Sequence, residues 1–355
     1  MNYLLLSTYP YSGSLNSGDD LLEKSLIQLI KNKDAHARFI IKNLTDASVT
    51  LPDLSDIDAI VGTVVIAPYW STQKENLILI LETALQMNIP IHLILASCFK
   101  PITVSAMHKV SLDRKLKNLL CAISRTNVLV TRDLFTLKLA QKNGIRCKSC
   151  IGDIALYDID YIGKPMQTPK SIKTVALSMP HNPLWNPAVI KLAKRIKQKY
   201  GCQCVLTLHG ITDLNNIASD IKKLHLPVID LSGSAAKLDY YQNVDMHIGF
   251  RLHAHIYCLR IRKPSVLSAE DSRAGGHLYT FNGAGYDATP KIINLLHGTK
   301  FCLPLQKYYN FEMRHIWHII KKEIISDFNI TRKNLQLIDL YYQKKTKPFI
   351  DNIGC

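Results

Sequence analysis

The first half of the chain alternates short apolar runs, which predict buried strands, with longer amphipathic runs, which predict helices. The predicted strands are Tyr3–Ser7, Phe39–Lys42, Ala59–Ile66, Ile91–Ala96 and Asn127–Thr131. The predicted helices are Asp19–Lys31, Gln73–Met87 and Leu134–Asn143. Because the links between these elements are short, the alternation predicts a parallel sheet that is covered by helices on both faces.

A second alternation of the same kind follows a segment at 160–172 that is rich in Gly, Pro, Lys and Ser. Its predicted strands are Lys173–Ser178, Cys204–Leu208, Val228–Leu231, Asp245–Phe250 and Ser265–Ser268, and its predicted helices are Pro187–Tyr200, Asp213–Leu224, Ala235–Gln242 and Leu252–Ile261. A chain of 355 residues is longer than a single core usually supports. We therefore predict an α/β protein with two parallel-sheet domains, residues 1–165 and 172–304, that face each other across a cleft.

The last segment, residues 305–355, has a helical pattern with many basic and aromatic residues. We predict a helical tail that packs back on the first domain. The mixture of lysines and aromatic residues also fits a second interpretation, in which this helix lies on the surface of an anionic membrane.

The chain is basic, because its 44 Lys and Arg residues outnumber its 28 Asp and Glu residues and give a formal net charge of +16. Such a charge favours an anionic partner, either a phosphorylated small molecule or an anionic membrane. The basic residues are dispersed and no zinc finger or RNA-binding motif is visible, so a nucleic-acid partner is disfavoured. No apolar run reaches the length of about 20 residues that a membrane helix needs. With no signal peptide evident, we expect a cytoplasmic protein, either free or peripheral to a membrane.

The nine cysteines are scattered and odd in number. Cys147 and Cys150 form a lone CxxC pair, and no second pair lies near it in the sequence. A structural zinc site needs four ligands, so we predict no metal and interpret the cysteines as free thiols in a reducing compartment.

The most informative motif is Arg251-Leu252-His253, which follows a predicted buried strand and opens a predicted helix. Strand carboxyl ends and helix N-termini are where parallel α/β folds bind anions. The guanidinium of Arg251 fits a carboxylate or a phosphate, and His253 can transfer a proton near neutral pH. The alternative is a surface arginine followed by a histidine that only caps the helix. We interpret the neighbouring His255 as structural.

Two more strand-to-helix junctions in the first half carry candidate residues. Asn16 and Gly18 open the first helix, where backbone N–H groups can face a ligand. Asp19 is either a general base for a sugar hydroxyl or the N-cap of that helix. Arg132 is either a second cation of the cleft or one half of a surface pair with Asp133. Gly152-Asp153 resembles a turn at the edge of the domain.

The stretch Ala269–His277 combines charged residues with flexible glycines, as substrate-binding loops do. In this interpretation either Glu270 or Asp271 orients an acceptor, and Arg273 contacts an anion. The alternative, a solvated loop without a function, fits the same residues.

These motifs occur in an order that resembles the polysaccharide pyruvyl transferase family. The order is an Asn-x-Gly-Asp helix start, then Arg-Asp before a helix, then Gly-Asp, and finally Arg-Leu-His after a strand. The resemblance covers residues 1–290 and implies a GT-B-like architecture of two Rossmann-like domains. It implies transfer of a pyruvyl unit from phosphoenolpyruvate, as donor substrate, to two hydroxyls of a sugar, without a cofactor or a metal.

Carried over to this chain, the resemblance implies that Arg251 and Arg132 bind the donor. It implies that His253 protonates the methylene carbon of phosphoenolpyruvate and that Asp19 lies at the cleft. The expected acceptor is a sugar, free or lipid-linked, of a surface-polysaccharide precursor.

Two other functions fit the same pattern. The first is a glycosyltransferase of the same architecture that uses a nucleotide sugar, with Glu270 as the carboxylate for the ribose. The second is a non-catalytic protein that binds glycans or nucleic acid.

Overall fold

The computed structural model describes the chain at residues 1–9, 15–46, 48–66, 71–97, 110–210, 213, 226–288 and 305–354. Within these ranges the predicted strands and helices are present, with ends that differ by a few residues. The predicted helix Asp213–Leu224 lies outside the described residues, except for Asp213 itself.

The first domain contains a parallel five-stranded sheet. Its strands are β1 (Asn2–Ser7), β2 (Arg38–Asn43), β3 (Ala59–Val65), β4 (Ile91–Ala96) and β5 (Val128–Thr131), in the spatial order β2-β1-β3-β4-β5. Its helices are α1 (Ser17–Lys33), α2 (Ser71–Gln86), α3 (Arg114–Thr126) and α4 (Leu134–Lys142). We did not predict α3, although its buried residues Leu116, Leu119, Leu120 and Ile123 have helical spacing and Asp113 caps it.

The second domain contains a parallel six-stranded sheet. Its strands are β6 (Thr174–Ser178), β7 (Gln203–Leu208), β8 (Val228–Asp230), β9 (Met246–Gly249), β10 (Ser265–Ala269) and β11 (Gly285–Asp287), in the order β11-β10-β9-β6-β7-β8. Its helices are α5 (Asn186–Tyr200), α6 (Leu252–Arg260) and α7 (Ser272–Phe281), with 3₁₀ helices at Pro183–Trp185 and Ala235–Asn243. The chain thus has the predicted two α/β domains.

The interpretation of Ala269–His277 as a flexible loop was wrong. Ala269 ends β10, Asp271 caps α7 by accepting hydrogen bonds from the backbone N–H groups of Arg273 and Ala274, and the helix continues to Phe281. Gly276 has a packing role in this helix, because a Cβ atom there would lie 2.8 Å from Oδ1 of Asp133 in the first domain. The glycine therefore marks a close contact between the domains.

The helix α1 joins the two domains near the ends of their sheets. The backbone N–H of Ser17 donates to the carbonyl of His209 at 3.3 Å, and a carboxylate oxygen of Asp20 accepts from the backbone N–H of Ala235 at 2.6 Å. Farther along α1, the guanidinium of Arg260 in α6 donates to the hydroxyl of Ser25 at 2.7 Å. These bonds hold the carboxyl ends of both sheets close together.

The C-terminal tail consists of α8 (Leu305–Ile325), α9 (Asn329–Tyr341), a π-helical turn at Tyr342–Thr346 and α10 (Lys347–Asp351). Helix α8 packs on α5 and β11 of the second domain. The end of the tail contacts the first domain, where the ammonium of Lys33 donates to the carbonyls of Asp351 and Ile353, both at 2.7 Å. The tail therefore contacts both domains, and the domain limits given above remain predictions. None of the described helices has the length and apolar composition for crossing a bilayer.

Candidate active site

Arg251 and His253 lie where the sequence places them, at the junction between β9 and α6. Arg251 is the N-cap residue of α6, and its backbone N–H donates to the hydroxyl of Ser178, the last residue of β6, at 3.1 Å. Both side chains are almost fully buried, with 6% of Arg251 and 8% of His253 exposed. The interpretation of Arg251 as a surface residue was therefore wrong.

His253 lies against the first turn of α1, and a glycine makes this contact possible. A Cβ atom on Gly18 would overlap the imidazole of His253, with the ring Cγ at 2.5 Å. The side chain of Asn16 caps α1 by accepting from the backbone N–H of Gly18 at 3.1 Å. The cap is thus Asn16, so the interpretation of Asp19 as the N-cap was wrong.

The overlap at Gly18 gives a testable expectation. On helix propensity alone, alanine at this position would stabilise α1. We expect Gly18→Ala to do the opposite and to lower the free energy of unfolding by about 1–3 kcal/mol, because the ring of His253 must move. The double variant Gly18→Ala/His253→Ala, compared with His253→Ala by chemical denaturation, should lose the part of this penalty that the imidazole causes. It should keep the part caused by Cβ of residue 253, which would lie 2.6 Å from the new Cβ atom. A penalty of equal size in both backgrounds would contradict the overlap.

Asp153 lies between His253 and Arg132 and links the two. Its Oδ2 atom is 3.6 Å from Nε2 of His253 and 3.8 Å from Nε of Arg132, and Asp153 is 1% exposed. Neither this oxygen nor Nε2 of His253 has a hydrogen-bond partner among the residues that the structure describes. The two atoms therefore need only a small approach to form a charge-assisted hydrogen bond.

The charge state of Asp153 follows from its neighbours. Burial alone would raise the pKa of this carboxyl, but the neighbouring imidazole of His253 and the charge of Arg132 lower it overall. Asp153 is therefore ionised at neutral pH and holds the imidazole of His253 in one orientation. From the sequence, Gly152-Asp153 is predicted to be a turn at the domain edge, without a chemical role for Asp153.

Arg132 does pair with Asp133, but not at the surface as the alternative interpretation had it. The Nε atom of Arg132 lies 3.5 Å from Asp133, and the exposed fractions of the two residues are only 4% and 1%. Asp133 also caps α4 by accepting from the backbone N–H of Thr136 at 2.6 Å. Another nitrogen of Arg132 donates to the carbonyl of Ser97 at 3.1 Å. Arg132 is thus a fixed, buried cation beside the Asp153–His253 pair.

The guanidinium of Arg251 lies between Asp213 and His181, and it contacts both side chains. Burial lowers the pKa of Arg251 to about 10, so it is still protonated at neutral pH. Its Nε–H is buried and has no hydrogen-bond acceptor within the described part of the chain. An unpaired charged donor in a buried position is costly unless a ligand satisfies it.

Glu270 and Arg273 form hydrogen bonds within the second domain. Glu270 accepts from the backbone N–H groups of His181 and Asn182, at 2.7 and 3.3 Å, and lies 3.0 Å from Nδ1 of His181. Glu270 therefore positions His181, which in turn contacts Arg251. Arg273 pairs with Asp271 at 2.6 Å. Binding of a ribose by Glu270 would require its bonds to be exchanged, whereas the guanidinium of Arg273 has further N–H groups besides those of Nε and Nη2 that contact Asp271.

Asp19 lies in the first turn of α1, and its Oδ2 accepts from the side-chain amide of Asn16 at 3.1 Å. Burial raises the pKa of Asp19, and the charges of His253, Arg273 and Arg132 oppose this rise. The same three side chains therefore face Asp19 from both domains. A carboxylate with a raised pKa is a better proton acceptor than an ordinary one.

Sequence reasoning missed Asp153, His181 and Asp213 as members of this site. Asp213 and His181 lie 38 and 70 residues from Arg251 in the sequence, so no local motif connects them. The sequence does contain a signal for Asp153, because its Gly-Asp pair closely follows Cys150, which forms a β-bridge with Thr131, and precedes a short 3₁₀ helix. Across the described residues, no cluster of three or more His, Cys, Asp or Glu side chains has a geometry that could hold a metal.

A family model described as polysaccharide pyruvyl transferase matches residues 16–272. The solved structure of S. aureus MnaA with UDP superposes with a TM-score of 0.50 at 10% identity, covering 96% of this chain and 92% of that chain. The UDP-GlcNAc 2-epimerase of Methanocaldococcus jannaschii, in complex with UDP-GlcNAc and UDP, superposes with a TM-score of 0.49 at 12% identity. This superposition covers 89% of this chain and 99% of that chain. A search of the curated proteins found no significant match. The superposition on S. aureus MnaA concerns the fold alone, which is a GT-B-like pair of Rossmann-like domains.

Proposed function

From the premise that this chain belongs to the polysaccharide pyruvyl transferase family, we propose that it forms a pyruvyl ketal on a sugar, with phosphoenolpyruvate as the donor. Membership in the family makes the chain a transferase that modifies polysaccharides. The donor, the ketal and the acceptor, a free or lipid-linked sugar of a surface-polysaccharide precursor, are our proposal.

One observation carries the proposal. Arg251 presents a buried Nε–H donor without a partner among the described residues, two positions before a histidine that an ionised aspartate holds in place. A guanidinium suits the carboxylate or the phosphate of phosphoenolpyruvate, and a histidine beside it suits proton transfer to the methylene carbon. Arg132, on the other side of Asp153, is the second cation for the donor.

In the proposed reaction His253 donates a proton to the methylene carbon, which becomes a methyl group. The adjacent carbon gains cationic character, and one sugar hydroxyl adds to it. The second hydroxyl then displaces inorganic phosphate, which closes the ketal, and the proton of this hydroxyl returns to His253. Asp19 accepts a proton from an attacking hydroxyl, while Arg251 and Arg132 stabilise the negative charge of the donor and of the departing phosphate.

Asp19 must be ionised when it acts as the base, and the fold makes this ionisation costly. Because its pKa is raised in the folded state, the ionised form destabilises the fold at any pH above that raised value. The cost is removed as the pH falls and the carboxyl is protonated. A costly ionised group at a ligand site is consistent with a catalytic role rather than a structural one.

The six cysteines that the structure describes have free thiols, which supports the further proposal that the enzyme works in the cytoplasm.

The proposal is tested with purified protein, phosphoenolpyruvate and a panel of sugar acceptors. We expect release of inorganic phosphate that depends on the acceptor, and a product whose mass corresponds to the added pyruvyl ketal. Isothermal titration should detect binding of phosphoenolpyruvate by itself. If nucleoside diphosphates bind and phosphoenolpyruvate does not, the donor is a nucleotide sugar and the proposal fails. The proposal also fails if no acceptor leads to phosphate release and phosphoenolpyruvate does not bind.

A further inference from the structure

The helix α5 carries an unusually dense set of cations. Five of its fifteen residues are basic, none is acidic, and all five basic side chains are exposed: Lys191, Lys194, Arg195, Lys197 and Lys199. None of the five forms an ion pair with another described residue. Like charges this close together repel one another, so the helix gains nothing in stability from them.

The helix α8 extends this surface. Lys191, Arg195 and Lys199 are four residues apart and share one side of α5, and the guanidinium of Arg195 lies 4.3 Å from the ring centroid of Trp317 in α8. Arg314 and Lys321 lie three and four residues from Trp317, on the same side of α8. The two acidic residues of α8, Glu312 and Glu323, are buried, with 7% and 0% exposed. The outer faces of both helices are therefore cationic, and we call them together the basic face.

Exposed apolar side chains accompany these cations. Phe311 is 52% exposed and Ile325 is 84% exposed, and both lie on α8. Lysine and arginine side chains beside a protruding aromatic and a protruding aliphatic residue are typical of helices that lie in the interface of an anionic bilayer. A phosphate backbone would satisfy the cations but would leave the isoleucine in water, so the composition favours a lipid surface over nucleic acid.

The basic face begins beside the candidate active site. Trp185, just before α5, has its ring centroid 5.1 Å from that of Phe250 and 4.5 Å from that of Tyr309 in α8. Phe250 immediately precedes Arg251, so both helices begin next to the β9–α6 junction and run away from it.

We propose that the basic face docks the enzyme on an anionic lipid bilayer, with the site of Arg251 and His253 at the margin of the membrane. Each basic residue near such a surface contributes about a fivefold gain in binding. The further step, that the acceptor is lipid-linked and reaches the site from this bilayer, rests on the function proposed above.

The test is co-sedimentation of the full chain with vesicles of phosphatidylcholine, with or without phosphatidylglycerol. We expect binding only to the anionic vesicles. The triple variant Lys191→Glu/Lys194→Glu/Lys199→Glu should bind the anionic vesicles at least a hundredfold more weakly, because about a fivefold gain is lost for each of three cations. The matched control is Lys31→Glu/Lys142→Glu/Lys237→Glu, three exposed lysines on other elements with the same change in net charge, and it should bind within a fewfold of the native chain. Circular dichroism verifies that both variants fold.

Three outcomes would overturn the proposal. They are no binding of the native chain to anionic vesicles, equal losses in the two triple variants, or tight binding of a DNA duplex that depends on the same lysines while vesicles are not bound. Activity with a soluble acceptor is measured separately, without vesicles, and the α5 variant should retain it. Vesicle binding needs no substrate, so a failure of the proposed chemistry leaves this result interpretable.

Discussion

Replacing His253 by glutamine is expected to lower kcat by about two to four orders of magnitude, the usual contribution of a general acid. Glutamine cannot protonate the methylene carbon, but its side-chain amide can still donate a hydrogen bond to Asp153. The free energy of unfolding should therefore change little. Phosphate release measures the rate, and chemical denaturation measures the stability.

His255 provides the control, because it is a buried histidine on the same helix. It is 0% exposed, its Nδ1 lies 2.6 Å from the hydroxyl of Ser265, and its ring packs edge-on against His277. We expect His255→Asn to cost about 1–3 kcal/mol of stability, because buried polar groups lose partners, while kcat changes little. If the two variants showed the reverse pattern, the assignment of the acid to His253 would be wrong.

Much of the fold could be predicted from the sequence because most of the parallel strands are buried and contain an apolar run, although the short β11 (Gly285–Asp287) has none and was not predicted. The same local reasoning failed at Ala269–His277, where Gly275 and Gly276 weaken helix propensity. In the structure α7 forms there because Asp271 caps it and because Gly276 packs against Asp133 of the first domain. The second of these contacts is tertiary, so no local pattern could reveal it.

The candidate site, like the fold, could be predicted from the sequence only in part. The position of Arg251 and His253 at a strand-to-helix junction is a local property, and the sequence predicted it. Their partners come from elsewhere in the chain. Asp153 contacts His253 across 100 residues of sequence, and Glu270 acts on Arg251 both through its own charge and through His181. The chemistry of this site depends on those partners, because they determine which charges are paired and which donors remain unpaired.

Replacing Arg251 by methionine is expected to lower the free energy of unfolding by about 3–5 kcal/mol, the usual cost of removing one partner of a buried ion pair. The carboxylate of Asp213 would lose its cation, and water could not replace it because the side chain of Asp213 is 0% exposed. Within the described part of the chain, it would keep only the hydrogen bond from the backbone N–H of His209, at 2.8 Å. Chemical denaturation at neutral pH measures this loss.

The double variant Arg251→Met/Asp213→Asn separates the structural role of Arg251 from its proposed role at the donor. The neutral asparagine removes the uncompensated charge, so we expect most of the lost stability to return. Binding of phosphoenolpyruvate, measured by isothermal titration, should not return, because methionine offers no donor to an anion. A double variant that regains both stability and donor binding would mean that Arg251 only neutralises Asp213. In that case Arg132 would be the remaining candidate for the donor cation, since it keeps its position between Asp133 and Asp153 in either variant.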